Sequence, residues 1–227
     1  MPQPPSRRAL TLAMLTSDHE PYDALAAESI GRRDRRLLTL REYVFGSTIV
    51  AQASCPECKS PAELEFNVAE IRTSCSEGEN DSWTISHGRS EVRFRLPNSL
   101  DLDVLDPHED EESGIRRLVK RCVLSADGPD PLPTEDLPGE IINRISDRMT
   151  EIDPQADIRL SLLCPECAYQ WAVPFDIATF LWEELNAWAI RLFSEVHTLA
   201  SAYGWSESEI LSMTTSRRNI YLEMVRA

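Results

Sequence analysis

The chain has little positive charge for its length and few histidines. Among 227 residues, 23 lysines and arginines stand against 38 aspartates and glutamates, which gives a formal net charge of −15. Such an excess of negative charge keeps a chain soluble and opposes long-range attraction to nucleic acid or to anionic lipid. A basic protein partner suits this chain better than DNA does.

Long apolar runs are also missing. No stretch approaches the roughly 18 apolar residues that a membrane-spanning helix needs. The short run from Ala9 to Leu15 follows two arginines, as in a signal peptide, but no small-residue cleavage site comes after it. We therefore expect no direct membrane insertion and synthesis in the cytoplasm, where thiols are kept reduced.

Motifs for catalysis are not apparent. The sequence contains no Walker A loop, no GxSxG elbow and no GxGxxG turn. The four histidines are scattered singly without HExxH spacing: His19, His87, His108 and His197. We interpret His197, in the long C-terminal helix, as a structural residue. We predict that the protein is not an enzyme.

What is present is the tetrapeptide CPEC, twice and far apart. It supplies four cysteines in two CxxC pairs: Cys55, Cys58, Cys164 and Cys167. Two such turns offer four thiolates to a tetrahedral Zn²⁺ ion, and a closed Cys₄ site leaves no position for a catalytic water. In a reducing compartment this pattern predicts one structural zinc ion per chain, bound between two distant segments.

Other interpretations of the cysteines stay open at this stage. The two pairs could be redox-active, although no alternating strand and helix pattern of the thioredoxin kind surrounds them. They could also be four reduced cysteines without a metal. Cys75 and Cys122 lack metal-ligand spacing, so we expect them to be packing residues.

The periodicity predicts a mixed α+β fold. Apolar and polar residues alternate in "AELEFNV" after the first CPEC, in "EVRFRLP", and in "YQWAVPF" after the second CPEC, which is typical of strands. Helices are predicted for "RRALTLAMLT", for Arg32 to Phe45, for "IRRLVKRCVL" and for "EIINRISDRMTEI". An acidic loop leads into the first of these last two helices, and a second turn-rich segment precedes the other.

The C-terminal part is helical. From Phe175 to Tyr203 apolar residues recur at steps of three and four, with Asp176 placed to cap the start and Gly204 the end. Ser206 and Glu209 form a capping box for a short helix, and a last helix follows. We expect three segments: a helical one at 1–54, a zinc-knuckle β region with a helical insertion at 55–174, and a helical unit at 175–227.

Two groups of side chains are candidate partner surfaces. Positive charge near a helix N-terminus opposes the macrodipole, so a run of arginines there is expected to face acidic groups of this chain or of a partner: Arg32, Arg33, Arg35 and Arg36. Three tryptophans of the C-terminal helices could contact a neighbour: Trp182, Trp188 and Trp205. The competing interpretations are a solvated face for the arginines and ordinary core packing for the tryptophans.

Several stretches together resemble a known family. They are "IGRRDRRLLTLREYVFG", the two CPEC motifs with their strands, "VRFRLPNSLDL", and most specifically "LASAYGWSESEIL" followed by "RRNIYLEMV". They resemble the baseplate proteins of contractile phage tails and contractile injection systems, the family named for the T-even phage baseplate hub assembly chaperone. Members with cysteines usually read CPxCG, whereas Lys59 and Ala168 stand here where glycine would allow positive φ.

The resemblance implies a structural or assembly role in a baseplate made in the bacterial cytoplasm, with other baseplate or tail subunits as partners. It carries no catalytic residues, and it does not decide between a transient chaperone and a permanent subunit of the particle. A zinc-ribbon adaptor that binds nucleic acid is the alternative. The net negative charge and the lack of a basic, aromatic strand face oppose that alternative.

Overall fold

The structure is a computed structural model that describes residues 4–17, 20–73, 81–106, 108–128 and 137–226. The fold is mixed α+β, as the sequence predicts. By its internal contacts the chain forms two compact units, Met1–Thr179 and Phe180–Ala227. The finer division into three segments stays a prediction, and Cys75 and His19 lie outside the described residues.

The first unit begins with three helices: α1 (Pro5–Met14), α2 (Tyr22–Ala27) and α3 (Ile30–Phe45). Helix α3 starts two residues before the predicted Arg32, because Ser29 caps it by accepting a hydrogen bond from the Arg32 amide. Leu37 and Leu38 on α3 are fully buried. These two leucines therefore pack into the unit, whereas Val44 near the end of the helix is exposed.

Two β-hairpins carry the CPEC motifs. The first consists of β1 (Thr48–Ser54) and β2 (Pro61–Asn67), and it is followed by the short helix α4 (Val68–Ile71). The second consists of β6 (Arg159–Leu163) and β7 (Gln170–Pro174). Each predicted strand is thus the second of an antiparallel pair.

Between the hairpins lies a three-stranded antiparallel sheet with two helices packed on it. Its elements are β3 (Trp83–His87), β4 (Ser90–Phe94), α5 (Ser99–Leu102), α6 (Glu111–Cys122), β5 (Val123–Asp127) and α7 (Gly139–Ile152), in the strand order β3-β4-β5. Val92 and Phe94 of the central strand pack with Ile141 and Ile145 of α7 in one buried cluster. A 3-10 helix (Pro154–Ala156) leads from α7 to β6.

The predicted helix "IRRLVKRCVL" is wrong at its end. The helix stops at Cys122, and Val123 and Leu124 belong to β5. Val123 pairs with Phe94 of the central strand, so a partner strand that local periodicity does not reveal decides the conformation.

The C-terminal helices are α8 (Ile177–Tyr203), α9 (Glu207–Leu211) and α10 (Thr215–Arg226). The predicted caps are confirmed. Asp176 accepts a hydrogen bond from the Ala178 amide, and Gly204 has φ 71°. Within the second unit Leu199, Ile210 and Leu222 form a small buried cluster between the three helices.

The start of α3 depends on a glycine. The Gly31 amide donates to Asp153 Oδ2 at 2.9 Å, and a Cβ at position 31 would overlap with the Asp153 carboxylate. Asp153 is itself buried at the beginning of the 3-10 helix. Only glycine lets α3 approach this close without moving the carboxylate.

We expect Gly31→Ala to lower the free energy of unfolding by about 1–3 kcal/mol, the usual cost of overpacking a buried site. The measurement is urea denaturation followed by circular dichroism. Gly114→Ala is the matched control, because no neighbouring atom lies within 4 Å of its added methyl group. That change in helix α6 should stabilise the protein by up to about 1 kcal/mol, and equal effects of the two substitutions would contradict the packing argument.

Candidate metal centre

The two CPEC turns have the same backbone geometry. In the first, the Cys55 amide donates to the Ser60 carbonyl at 2.9 Å and the Lys59 amide donates to the Cys55 carbonyl at 3.0 Å. In the second, the Cys164 amide donates to the Tyr169 carbonyl at 2.9 Å and the Ala168 amide to the Cys164 carbonyl at 3.0 Å. Each turn therefore folds back on its first cysteine, and both sulfur atoms of the pair lie on the same side of the turn.

The residue after the second cysteine is left-handed in both turns. Lys59 has φ 63° and Ala168 has φ 56°, and no other described residue except glycine has positive φ. These are the two positions where the related sequences are expected to carry glycine. A side chain here costs about 1–2 kcal/mol relative to the right-handed region, so each turn is strained at one residue.

The four sulfur atoms form one cluster. Cys55 Sγ lies 3.7 Å from Cys167 Sγ, and Cys58 Sγ lies 3.5 Å from Cys164 Sγ. All four atoms lie within 4.8 Å of one another. A tetrahedron with metal–sulfur bonds of about 2.3 Å has edges of about 3.8 Å, so these four cysteines could bind one metal ion.

The cluster is half buried. Cys55 and Cys164, the first cysteines of the turns, are buried, and Cys58 and Cys167 are exposed. Hydrogen bonds from the Ser60 side chain and amide lower the pKa of Cys58 to about 6. The Tyr169 amide lowers the pKa of Cys167, but desolvation and the three neighbouring sulfurs outweigh it and raise that pKa to about 12. Without a cation the Cys167 thiolate is therefore hard to form.

Contacts outside the turns bring the hairpins together. Phe66 of β2 and Phe175, which follows β7, meet edge to face with ring centroids 5.5 Å apart. Gln155 is fully buried, and its Oε1 accepts a hydrogen bond from the Thr73 amide at 2.8 Å while its Nε2 donates to the Ile71 carbonyl at 3.3 Å. The segments that follow β2 and precede β6 are thus joined independently of the sulfurs.

Three of the four predicted partner-binding arginines have partners within the chain. Arg33 is buried and pairs with Asp34 at 2.7 Å. Arg35 donates to the Thr73 carbonyl at 2.6 Å, and Arg36 pairs with Glu28 at 2.7 Å. The expected acidic and polar groups for these side chains are therefore intramolecular, and only Arg32 is exposed.

Asp34 is the most perturbed carboxyl group of this helix. Burial raises its pKa to about 6, against the opposing effect of the Arg33 guanidinium. Both residues line a cavity of about 250 Å³ together with Pro5, Ser6, Leu102 and Asp157 among others. The pair is a buried structural contact in the first unit.

The three tryptophans lie in different environments. Trp205 is half-buried and stacks on Tyr203 with ring centroids 4.5 Å apart, inside the second unit. Trp182 is half-buried, whereas Trp188 is 47% exposed. Whether any of them contacts another subunit stays a prediction, and Trp188 is the one whose surface is open to a neighbour.

Sequence reasoning missed the residues that support the centre from outside. Ser60, which lowers the pKa of Cys58, follows the first CPEC motif by two residues and could have been found from that spacing. Gln155 and Asp153 gave no such signal, because their partners are 82 and 122 residues away.

The fold and the site define a class: an α+β protein in which two cysteine-bearing hairpins meet to form one cluster of four sulfurs. The chain belongs to the family described as T4 bacteriophage base plate protein, whose model matches residues 20–182. The matched range includes both hairpins and all four clustered cysteines. A search of curated proteins and a search of solved structures found no match.

Membership of this family makes the chain a structural baseplate protein that interacts with other baseplate proteins. Among the described residues, no helix is both long enough and apolar enough to cross a membrane. The family resemblance in the sequence is thus confirmed over residues 20–182, whereas the C-terminal stretches at 199–211 and 217–225, which carry it most specifically, lie outside the matched range.

Replacing Ala168 with glycine should stabilise the protein by about 0.5–1 kcal/mol, because it relieves the left-handed strain at a smaller cost in unfolded-state entropy. Thermal and urea unfolding measure the change. Ala172→Gly, in β7 of the same hairpin, is the control and should destabilise by about 0.5–1 kcal/mol. If both substitutions lower stability equally, the positive φ at position 168 is not strained.

Proposed function

We propose that the protein is a non-enzymatic structural or chaperone-type assembly component of the baseplate of a contractile phage tail-like particle or contractile injection system, stabilised by one structural Zn²⁺ ion. The observation that carries the zinc proposal is the cluster of four sulfurs drawn from two hairpins. Its ligands are Cys55, Cys58, Cys164 and Cys167. The family supports the baseplate role.

Zinc suits this donor set better than other common ions do. Thiolate is a soft ligand, and a tetrahedral S₄ set favours zinc or an iron–sulfur centre over magnesium or calcium, which prefer oxygen. Four protein ligands close the coordination shell, so the ion has no open position for a substrate or a catalytic water. The ion would act by replacing the repulsion of neighbouring thiolates with attraction to a dication.

The proposed effect of the ion is mechanical. Each close sulfur pair joins one hairpin to the other, across sequence separations of 106 and 112 residues. Because such a site rarely exists in the unfolded chain, the binding free energy of the metal becomes folding free energy. The metal would thereby fix one hairpin against the other and rigidify the surface presented to neighbouring subunits.

The nucleic-acid adaptor is the weaker candidate. Glu63 and Glu65 on β2 are exposed. Glu57 and Glu166, inside the two CPEC turns, are exposed as well. Phosphate would be repelled by these carboxylates. We therefore propose protein partners alone, with Arg32 and Trp188 as the exposed members of the two predicted contact groups.

Metal analysis of the protein purified without chelator should give one zinc ion per chain. Cys164→Ser should remove the metal, lower the melting temperature by about 4–16 °C, a loss of about 2–4 kcal/mol, and speed amide exchange in both hairpins together. A stable wild-type protein without metal would contradict the proposal.

Cys122→Ala is the matched control for this experiment. Cys122 is buried in the middle sheet cluster, and burial raises the pKa of its thiol to about 12, so it is not poised to bind a metal. This variant should lose packing free energy and keep its full zinc content. Loss of zinc from it would show that the assay reports general unfolding.

The place of the protein in assembly is tested by quantitative mass spectrometry of purified particles and of assembly extracts. A permanent subunit is expected at fixed stoichiometry in the particles, whereas a chaperone is expected only in the extracts bound to other baseplate proteins. Absence from both fractions would contradict a baseplate role.

A further inference from the structure

The hydrogen-bond alternation of the two hairpins identifies the backbone groups that point outward. In the second hairpin the Phe175 amide donates to the Ile158 carbonyl and the Cys164 amide donates to the Tyr169 carbonyl. Opposite residues of an antiparallel pair alternate between hydrogen-bonded and non-hydrogen-bonded pairs. Between these two hydrogen-bonded ends, the backbone N–H and C=O groups of every second residue therefore point away from the partner strand. On β6 the outward N–H and C=O groups belong to Arg159, Ser161 and Leu163.

The same reasoning applies to the first hairpin. The Cys55 and Val68 amides donate to the Ser60 and Ser47 carbonyls, which makes Thr48, Val50, Gln52 and Ser54 outward on β1. The structure contains an independent check. The Thr48 carbonyl accepts a hydrogen bond from Arg41 at 2.6 Å, as an outward group can.

Three of the four hairpin edges carry a feature that hinders the addition of another strand. The edge of β1 is occupied at Thr48 by the buried Arg41. The edge of β2 has Pro61, which lacks an N–H. Its next two outward positions carry charged side chains, Glu63 and Glu65. The edge of β7 ends in Pro174. Proline and charge are common means by which proteins protect strand edges.

The edge of β6 has none of these features at its centre. It contains no proline, and its one charge, on Arg159, is paired with Asp157 at 3.1 Å. Leu163 is 59% exposed although it is apolar. An isolated two-stranded hairpin is marginally stable in water, so an unprotected edge on one is a place where a third strand adds stability.

A groove on this hairpin supports the same inference. It has a volume of about 430 Å³ and is lined by Ser161, Leu162, Leu163, Gln170, Trp171 and Ala172. Trp171 Nε1 is buried without a hydrogen-bond acceptor among the described residues. A buried donor without an acceptor costs about 1–3 kcal/mol, and an added chain could supply the carbonyl.

We propose that the outer edge of β6 binds an extended segment of another baseplate subunit by β-strand addition. This inference rests on the proposed baseplate function and names the surface used. The segment has an uncharged centre, to match Ser161 and Leu163. It has a basic residue at the end that lies beside the two CPEC turns. There the exposed carboxylates of Glu57 and Glu166 concentrate negative charge, which Lys59 offsets only in part.

The test uses the full-length chain in cells that assemble particles. Ser161→Pro removes an outward N–H without breaking a bond inside the hairpin, so folding and zinc content are expected to be retained. Its incorporation into particles or baseplate complexes should fall at least tenfold. Glu63→Pro removes the equivalent outward N–H from β2 and should leave incorporation unchanged.

Amide exchange provides a second measurement that does not depend on the proline variant. The amides of Ser161 and Leu163 should exchange rapidly in the purified chain and become protected in the baseplate complex. Ser161→Lys, which keeps the backbone but adds charge to the edge, should weaken incorporation, with Gln52→Lys as its control on β1.

Each outcome bears on a different claim. Normal incorporation of folded Ser161→Pro chain, or exchange at Ser161 and Leu163 that is equally rapid in the complex, would overturn the edge proposal and leave the baseplate role standing. Protection that rises with concentration in the purified chain alone would assign the edge to a second copy and overturn the proposed partner. Absence of wild-type chain from every baseplate fraction would instead overturn the proposed function.

Discussion

The structure depends on the approach of two β-hairpins whose cysteines are 106 and 112 residues apart in sequence. Each close sulfur pair contains one cysteine from each hairpin, so neither hairpin can complete the cluster alone. Loop closure over such a distance costs conformational entropy. The contacts of Gln155, of Asp153 with Gly31, and of Phe66 with Phe175 offset that cost before any metal is considered.

The cysteine cluster was predictable because the CxxC spacing is local and the chemistry of four thiolates is specific. The second strand of each hairpin and the caps at Asp176 and Ser206 were predictable for the same reason. The sequence does not predict the first strands, and it places Val123 in a helix, because in each case the conformation is decided by a partner strand. The buried Gln155 could not be found, since nothing in sequence marks contacts 82 residues away.

The arginines at the start of α3 mostly find their partners within the chain and not on another subunit's surface. Positive charge at the start of α3 calls for acidic or carbonyl partners, and the structure supplies Asp34, Glu28 and the Thr73 carbonyl within the chain. Among the described residues, the outer edge of β6 combines the lack of a partner strand with the lack of a central proline or unpaired charge. For a structural baseplate protein that interacts with other baseplate proteins, an unsatisfied backbone edge is a more direct indication of a contact surface than a run of like charges.

The central claim is that the two hairpins share one metal ion with four sulfur ligands. X-ray absorption at the zinc edge tests it most directly, because it reports the identity, number and distance of the ligand atoms. The account predicts four sulfur atoms at about 2.3 Å and no oxygen or nitrogen ligand. A first shell that contains oxygen or nitrogen, or that fits only two sulfur atoms, would contradict it.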